Sequence, residues 1–173
     1  MSSQNAKSAS DLHLMTIGVY GADEDSFFST LTDAGVDTFC DVRRHRGLRG
    51  RKYAFANSKR LQKRLKEMGI YYVHLKDLSP PKEIRQKQRA ADKKSGTAKR
   101  ERTALSDSFV EAYEDECLSG TTPEEVLNRL PDDTLRAIFF CVEREPEACH
   151  RSVLTSWLSN GKNLPVKHLK PRT

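Results

Sequence analysis

Short apolar runs recur along this chain with an amphipathic stretch between each and the next, and that alternation is what most restricts the folds open to it. Leu12 to Tyr20, Val36 to Val42, Ile70 to Leu75, Leu135 to Val142 and Pro165 to Leu169 have the length and composition of strands. The intervening segments have helical spacing and helical punctuation. Asp23 or Asp25 caps a segment whose Phe27, Phe28 and Leu31 share one face, and Gly35 closes it. Asn57 is the expected N-cap of a helix carrying Leu61, Leu65 and Met68, with Gly69 as its stop. Thr122-Pro123-Glu124-Glu125 reads as a capping-box start, and a last helix runs through Val153, Leu154, Trp157 and Leu158 to Gly161. Strands alternating with helices predict an α/β fold. The expectation is a single three-layer domain with a mainly parallel sheet of about five strands and helices on both faces.

With 173 residues the chain has material for one ordinary domain. Residues 1–11 read as a disordered tail and 12–173 as the domain. Within it, residues 82–103 are rich in Lys, Arg, Gln and Glu and read as a charged, mobile helical flap. No apolar run approaches the roughly 20 residues a membrane span needs. The polar start lacks the apolar core of a secretory signal, which points to the cytoplasm and to four reduced cysteines.

In open α/β sheets, ligands bind outside the carboxyl ends of the strands. Three segments fall there: Gly18 to Gly21, Asp41 to Arg43, and Cys141 to Arg151. In the last, a strand runs through an acidic turn into a helix that opens on Cys149-His150-Arg151, where the positive end of the helix dipole favours an anion or a thiolate. Arg43, Arg46, Arg49 and Arg151 are the anion-binding candidates, their guanidinium forks being suited to phosphate or carboxylate. Asp41 orients an arginine or activates a reacting group, and His150 is the proton-transfer candidate. Cys149 is the candidate nucleophile, although a Cys and a His adjacent in sequence are not expected to face each other.

The net charge of +6 is concentrated, since Arg43 to Lys66 carries eleven basic residues and no Asp or Glu. Arg51, Lys52, Tyr53, Lys59 and Lys63 are the expected nucleic-acid surface, with Tyr53 and Phe55 placed to stack on bases. A zinc site from Cys40, Cys141, Cys149 and His150 is not expected, because there is no Cys-x-x-Cys pair and the ligands are scattered over strand ends. Magnesium is the ion that Asp41, Glu143 and Glu145 would suit.

Thr16-Ile17-Gly18, Cys40-Asp41-Val42-Arg43, Tyr72-Val73-His74-Leu75 and Cys149-His150-Arg151-Ser152 occur in this order, and in that the chain resembles the family catalogued as domain of unknown function 488. The likeness spans about Leu14 to Leu169. It implies a compact α/β domain whose shared site would match Asp41, Arg43, Cys149, His150 and Arg151. Val19 stands where many relatives carry His, and Arg44 to Arg49 replace a loop in which Pro and Ser are frequent. The chain thus reads as a basic branch of that family.

Three functional readings follow. The first is a phosphate-recognising hydrolytic enzyme acting on a nucleotide or nucleic acid. The second is a non-catalytic nucleic-acid-binding or regulatory module. The third is a thiol redox or sulfur-handling protein centred on Cys149. The expected partner is nucleic acid or a phosphorylated small molecule, and no membrane.

Overall fold

The computed structural model describes residues 11–98, 101–160 and 162–172. The helix stop expected at Gly161 and all but Asp11 of the expected tail lie outside these, as do residues 99 and 100 of the charged segment. Five strands form one sheet: β1 (His13–Ile17), β2 (Thr38–Asp41), β3 (Tyr71–His74), β4 (Arg136–Phe140) and β5 (Val166–Leu169). Their spatial order is β3-β2-β4-β1-β5, and every pairing is parallel. The sheet was expected to be mainly parallel; among the described residues it is wholly so.

The helices are α1 (Glu24–Asp33), α2 (Ser58–Glu67), α3 (Lys82–Ser95), α4 (Asp107–Tyr113), α5 (Pro123–Leu127) and α6 (His150–Asn160). Their ends follow local chemistry. Asp23 caps α1 by accepting from the Ser26 amide, and Thr122 with Glu125 forms the capping box of α5. Gly35 and Gly69, the expected stops, both take positive φ. Asn57 stands at the N-cap of α2, but its side chain instead accepts from the Leu48 amide at 2.5 Å and so pins the basic loop.

The strand order fixes the layers. Right-handed crossovers from β1 to β2 and from β2 to β3 move one way and place α1 and α2 on one face. The crossovers from β3 to β4 and from β4 to β5 move the other way and place α3 to α6 opposite. The packing agrees. Phe27 of α1 lies edge-on to Phe39 and Phe140, Phe28 meets Phe55 at the foot of α2, and α4 rests on α3 and α6. Burying side chains such as Phe27, Phe39, Phe139 and Phe140, all fully enclosed, contributes about 1.5–3 kcal/mol each.

The direction of winding reverses around β4, which lies between β2 and β1. A crevice opens at such a switch point, outside the carboxyl ends of the strands. Here those ends are Asp41, Phe140 and Ile17.

Candidate active site

β2 delivers Asp41 to the switch point with no exposed surface. Its Oδ1 accepts from the Arg43 amide at 3.2 Å and from Arg43 Nε at 2.9 Å; its Oδ2 accepts from Arg43 Nη2 at 2.8 Å and from the Tyr72 hydroxyl at 2.7 Å. Four donors leave the carboxylate no room for a reacting group. In this arrangement Asp41 holds the Arg43 guanidinium in place. Burial, with the Asp41 charge beside it, pushes the Tyr72 phenol up to about 12, so its hydroxyl stays a donor. Arg43 itself is 3% exposed, stacks 4.6 Å over the Phe140 ring, and keeps one nitrogen, Nη1, buried without a partner among the described residues.

β4 delivers Cys141, and a short turn, Pro146–Ala148, returns the chain to Cys149 at the foot of α6. Cys149 is extended, at φ −136° and ψ 145°, and only His150 begins the helix. Helical spacing does not govern this pair, so the expectation that the two would not face each other is corrected. Cys149 Sγ lies 3.7 Å from His150 Nδ1. His150 Nε2 lies 2.9 Å from the Val42 carbonyl, which can only accept, so Nε2 carries a hydrogen and donates it, and Nδ1 is turned to the sulfur. Burial acts to raise the Cys149 thiol, but a hydrogen bond from Cys141 and the charges of His150 and Arg151 outweigh it and hold Cys149 well below the usual thiol range. The same hydrogen bond, with burial, pushes Cys141 well above it. The two sulfurs are thus pushed in opposite directions by one contact.

Arg151, expected as an anion fork, has another task. It is fully buried, with Nη1 donating to the Glu143 carbonyl at 2.6 Å and Nη2 to the Arg144 carbonyl at 3.2 Å. It braces the loop after β4 and does not line the crevice. Gly18 packs under the same loop, where a Cβ would stand 1.9 Å from the Glu143 carbonyl oxygen. The close approach expected of Gly18 is to this backbone and not to a ligand.

The crevice encloses about 320 Å³, within the range of small-molecule sites. Cys141, Cys149 and His150 form one part of its wall, and Arg43, Arg44 and His45 another. α3 supplies Arg85, Gln88, Arg89 and Asp92, with Arg102 beyond it. Asp92 is paired with Arg102, whose Nη2 lies 2.6 Å away, and accepts from Gln88 at 2.8 Å. Arg85 Nε is buried without a partner among the described residues. Burial and the adjacent charges of Arg89 and Arg44 lower the Arg85 pKa, the mark of cations crowded together without enough counter-charge.

A family model described as a domain of unknown function, DUF488, matches residues 24–158. The chain belongs to the DUF488 family. No curated protein and no solved structure matches it. The matched span of this DUF488 domain runs from α1 into α6 and so contains Asp41, Arg43, Cys141, Cys149 and His150. Thr16-Ile17-Gly18 precedes it.

Of the remaining sequence candidates of this DUF488 domain, Glu143 lines the crevice and the others lie apart from it. Arg46 reaches the Tyr72 hydroxyl at 3.4 Å and, like the exposed Arg49, does not line the cavity. Arg51, Lys52, Lys59 and Lys63 are exposed. Tyr53 and Phe55 are not available to stack on bases: both are buried, and the Tyr53 hydroxyl accepts from the Gly21 amide at 3.0 Å. The carboxylates named for magnesium do not assemble, since Asp41 is held by Arg43 and Glu145 pairs with Lys170 at 2.6 Å. Of the four zinc ligands weighed, Cys141, Cys149 and His150 converge and Cys40 is not among them.

Sequence reasoning named neither Arg44 nor any single residue of α3 for the site, although the charged segment that holds α3 was read as a flap. The signal was present, because Ile84, Gln88 and Asp92 fall at i, i+4 and i+8 and all three are buried. Polar residues at two of those positions mark a helix facing a polar cavity. No helix among the described residues is long and apolar enough to cross a membrane.

Proposed function

We propose that this protein is a phosphate-recognising hydrolytic enzyme acting on a nucleotide, with the anionic group held by the arginine wall and the reacting bond set over Cys149 and His150. One observation carries the reading: Arg43 Nη1 and Arg85 Nε are buried on residues that line one cavity, and neither has a hydrogen-bond partner among the described residues. Buried donors without partners cost about 1–3 kcal/mol each, more when charged, and a phosphate removes that cost with charge-assisted bonds. The volume fits a single nucleotide or the end of a strand and excludes a duplex. Cytoplasmic residence goes with this reading, as it keeps the Cys141 and Cys149 thiols reduced.

Calorimetric titration with nucleoside 5′-monophosphates, alongside inorganic phosphate, tests it. Arg85→Met removes a donor that bonds no other described residue, so affinity falls about 10- to 100-fold, the value of one charged hydrogen bond, while the fold stands. Lys63→Met, on exposed surface, leaves it unchanged. Equal affinities for wild type and Arg85→Met sink the proposal. Cys149→Ser abolishes release of phosphate or base while nucleotide binding persists.

A non-catalytic nucleic-acid module is the second reading, favoured by the exposed run of Arg49, Arg51, Lys52, Lys59 and Lys63. Oligonucleotide affinity that drops steeply with salt and with Lys59→Glu plus Lys63→Glu, yet ignores Arg85→Met, would support it over the enzyme.

A further inference from the structure

Cys141, Cys149 and His150 offer three soft donors to one point. Two thiol sulfurs and a ring nitrogen lie within 4.8 Å of one another, from three buried residues on the wall of the cavity. Metal-bound donors at about 2.3 Å for sulfur and 2.0–2.1 Å for nitrogen need a spread somewhat smaller than this, so small side-chain rotations close the set around an ion. The histidine is already prepared for that role. Its Nε2–H is held by the Val42 carbonyl at 2.9 Å, the outer-shell bond that fixes a metal-ligating imidazole, and Nδ1 is the atom turned to the sulfurs.

A nucleophilic cysteine needs a single sulfur and a base. The second sulfur, in hydrogen-bond contact with the first, is surplus to that task and is explained by a shared ion. Two thiolates side by side repel, and a divalent cation between them removes the repulsion and leaves the trio neutral. Thiolate and imidazole select zinc among the common divalent ions and reject magnesium and calcium, which demand oxygen donors.

We propose that Cys141, Cys149 and His150 bind one thiophilic divalent cation, zinc, with the fourth coordination position open to the arginine-walled cavity. Three protein ligands and an open position make the pattern of a catalytic rather than a structural zinc site. The open position is where water or a substrate oxygen completes the tetrahedron, beside the wall that takes the anionic group. The role of the ion in turnover rests on the nucleotide reading; its binding does not.

The test uses the full chain, purified without a metal-binding tag, reduced and stripped with chelator. Zinc is titrated against a chromophoric chelator, and cobalt(II) is added separately as a spectroscopic probe. One equivalent of zinc per chain is expected, with thiolate-to-cobalt charge-transfer bands and the d–d bands of a tetrahedral ion. Stoichiometry falls to none in Cys141→Ser and in Cys149→Ser, circular dichroism confirming that each folds, and stays at one in Cys117→Ser. Zinc that the chelator removes completely, or zinc held equally by Cys141→Ser, overturns the site. A Cys141–Cys149 disulfide that forms in place of metal uptake when dissolved oxygen is admitted as oxidant also overturns it, in favour of a redox pair. Nucleotide titration of the metal-free protein is scored separately. Zinc bound without nucleotide affinity leaves this site standing and refutes the nucleotide reading.

Discussion

Replacing Asp41 by Asn tests whether a buried ion pair organises the crevice. Asn is nearly isosteric with Asp, so the change removes charge and one acceptor and little else. The new amide group would stand where Oδ2 accepts from Arg43 Nη2 at 2.8 Å and from Tyr72 at 2.7 Å. The Tyr72 hydroxyl can rotate to accept; the guanidinium cannot. Arg43, 3% exposed, is left with its charge unpaired. Breaking one side of a buried pair costs about 3–5 kcal/mol. With a denaturant slope of about 2 kcal/mol per molar urea, the unfolding midpoint falls by roughly 2 M. Equilibrium urea unfolding followed by circular dichroism reads this directly. The double variant Asp41→Asn, Arg43→Met removes the orphaned charge and recovers much of the loss. A shift under about 1 kcal/mol, the scale of a surface ion pair, would refute the argument that Arg43 depends on Asp41. So would a double variant no more stable than Asp41→Asn alone.

Three further outcomes are expected. Tyr72→Phe deletes one hydrogen bond to the Asp41 carboxylate and lowers unfolding stability by about 1.5–3 kcal/mol; a denaturation midpoint equal to wild type would contradict that. The Asp92 carboxyl is opposed by burial, but Arg102 and Gln88 outweigh it and hold its pKa below the ordinary value. Its contribution to stability is therefore complete above the unfolded value of about 3.9 and lost as pH falls through the lower folded value. Asp92→Asn should be less stable than wild type at neutral pH, and the gap should close in acid; a gap that widens below pH of about 4 would reverse the sign argument. Gly18→Ala brings a methyl to 1.9 Å from the Glu143 carbonyl oxygen, so the loop after β4 must shift, at a cost of about 1–3 kcal/mol or more. Thermal unfolding reads the loss, and, under the proposed nucleotide reading, weakened nucleotide binding in the folded fraction reads the displaced loop.

The parallel α/β frame was legible because each strand is a short apolar run and each helix has a cap or a glycine stop that sequence can display. Asp23, Gly35, Gly69 and the Thr122 capping box are local signals, and local signals survive folding. The basic loop was half legible. Its charge was plain, but sequence spacing does not tell an exposed aromatic from Tyr53, which turns inward to take the Gly21 amide. Long-range partners were the blind spot. Arg151 looked free to hold an anion, yet its Nη1 and Nη2 go to the Glu143 and Arg144 carbonyls and Nε alone is left without a partner among the described residues. Cys141 and Cys149 are eight residues apart, and only the turn at Pro146–Ala148 folds the chain back so that both sulfurs meet.

The reversal of winding around β4 ties these pieces together. β2 and β1 flank β4, so the loops after all three strands meet above the sheet, and each contributes a different kind of group. The β2 loop brings a cation locked by Asp41; the β4 loop brings the sulfur and imidazole cluster; the β1 loop brings Gly18, whose missing side chain lets the β4 loop settle. α3 closes the crevice from the other side with Arg85 and Arg89. Five arginines and two carboxylates, Asp92 and Glu143, line the cavity, and Asp92 is already matched by Arg102. Folding alone leaves that surplus of positive charge in place, because the core that stabilises the chain lies in the Phe27, Phe39 and Phe140 packing beneath it. Under the proposed function, that wall beside Cys141, Cys149 and His150 is what would draw an anionic substrate to the cluster.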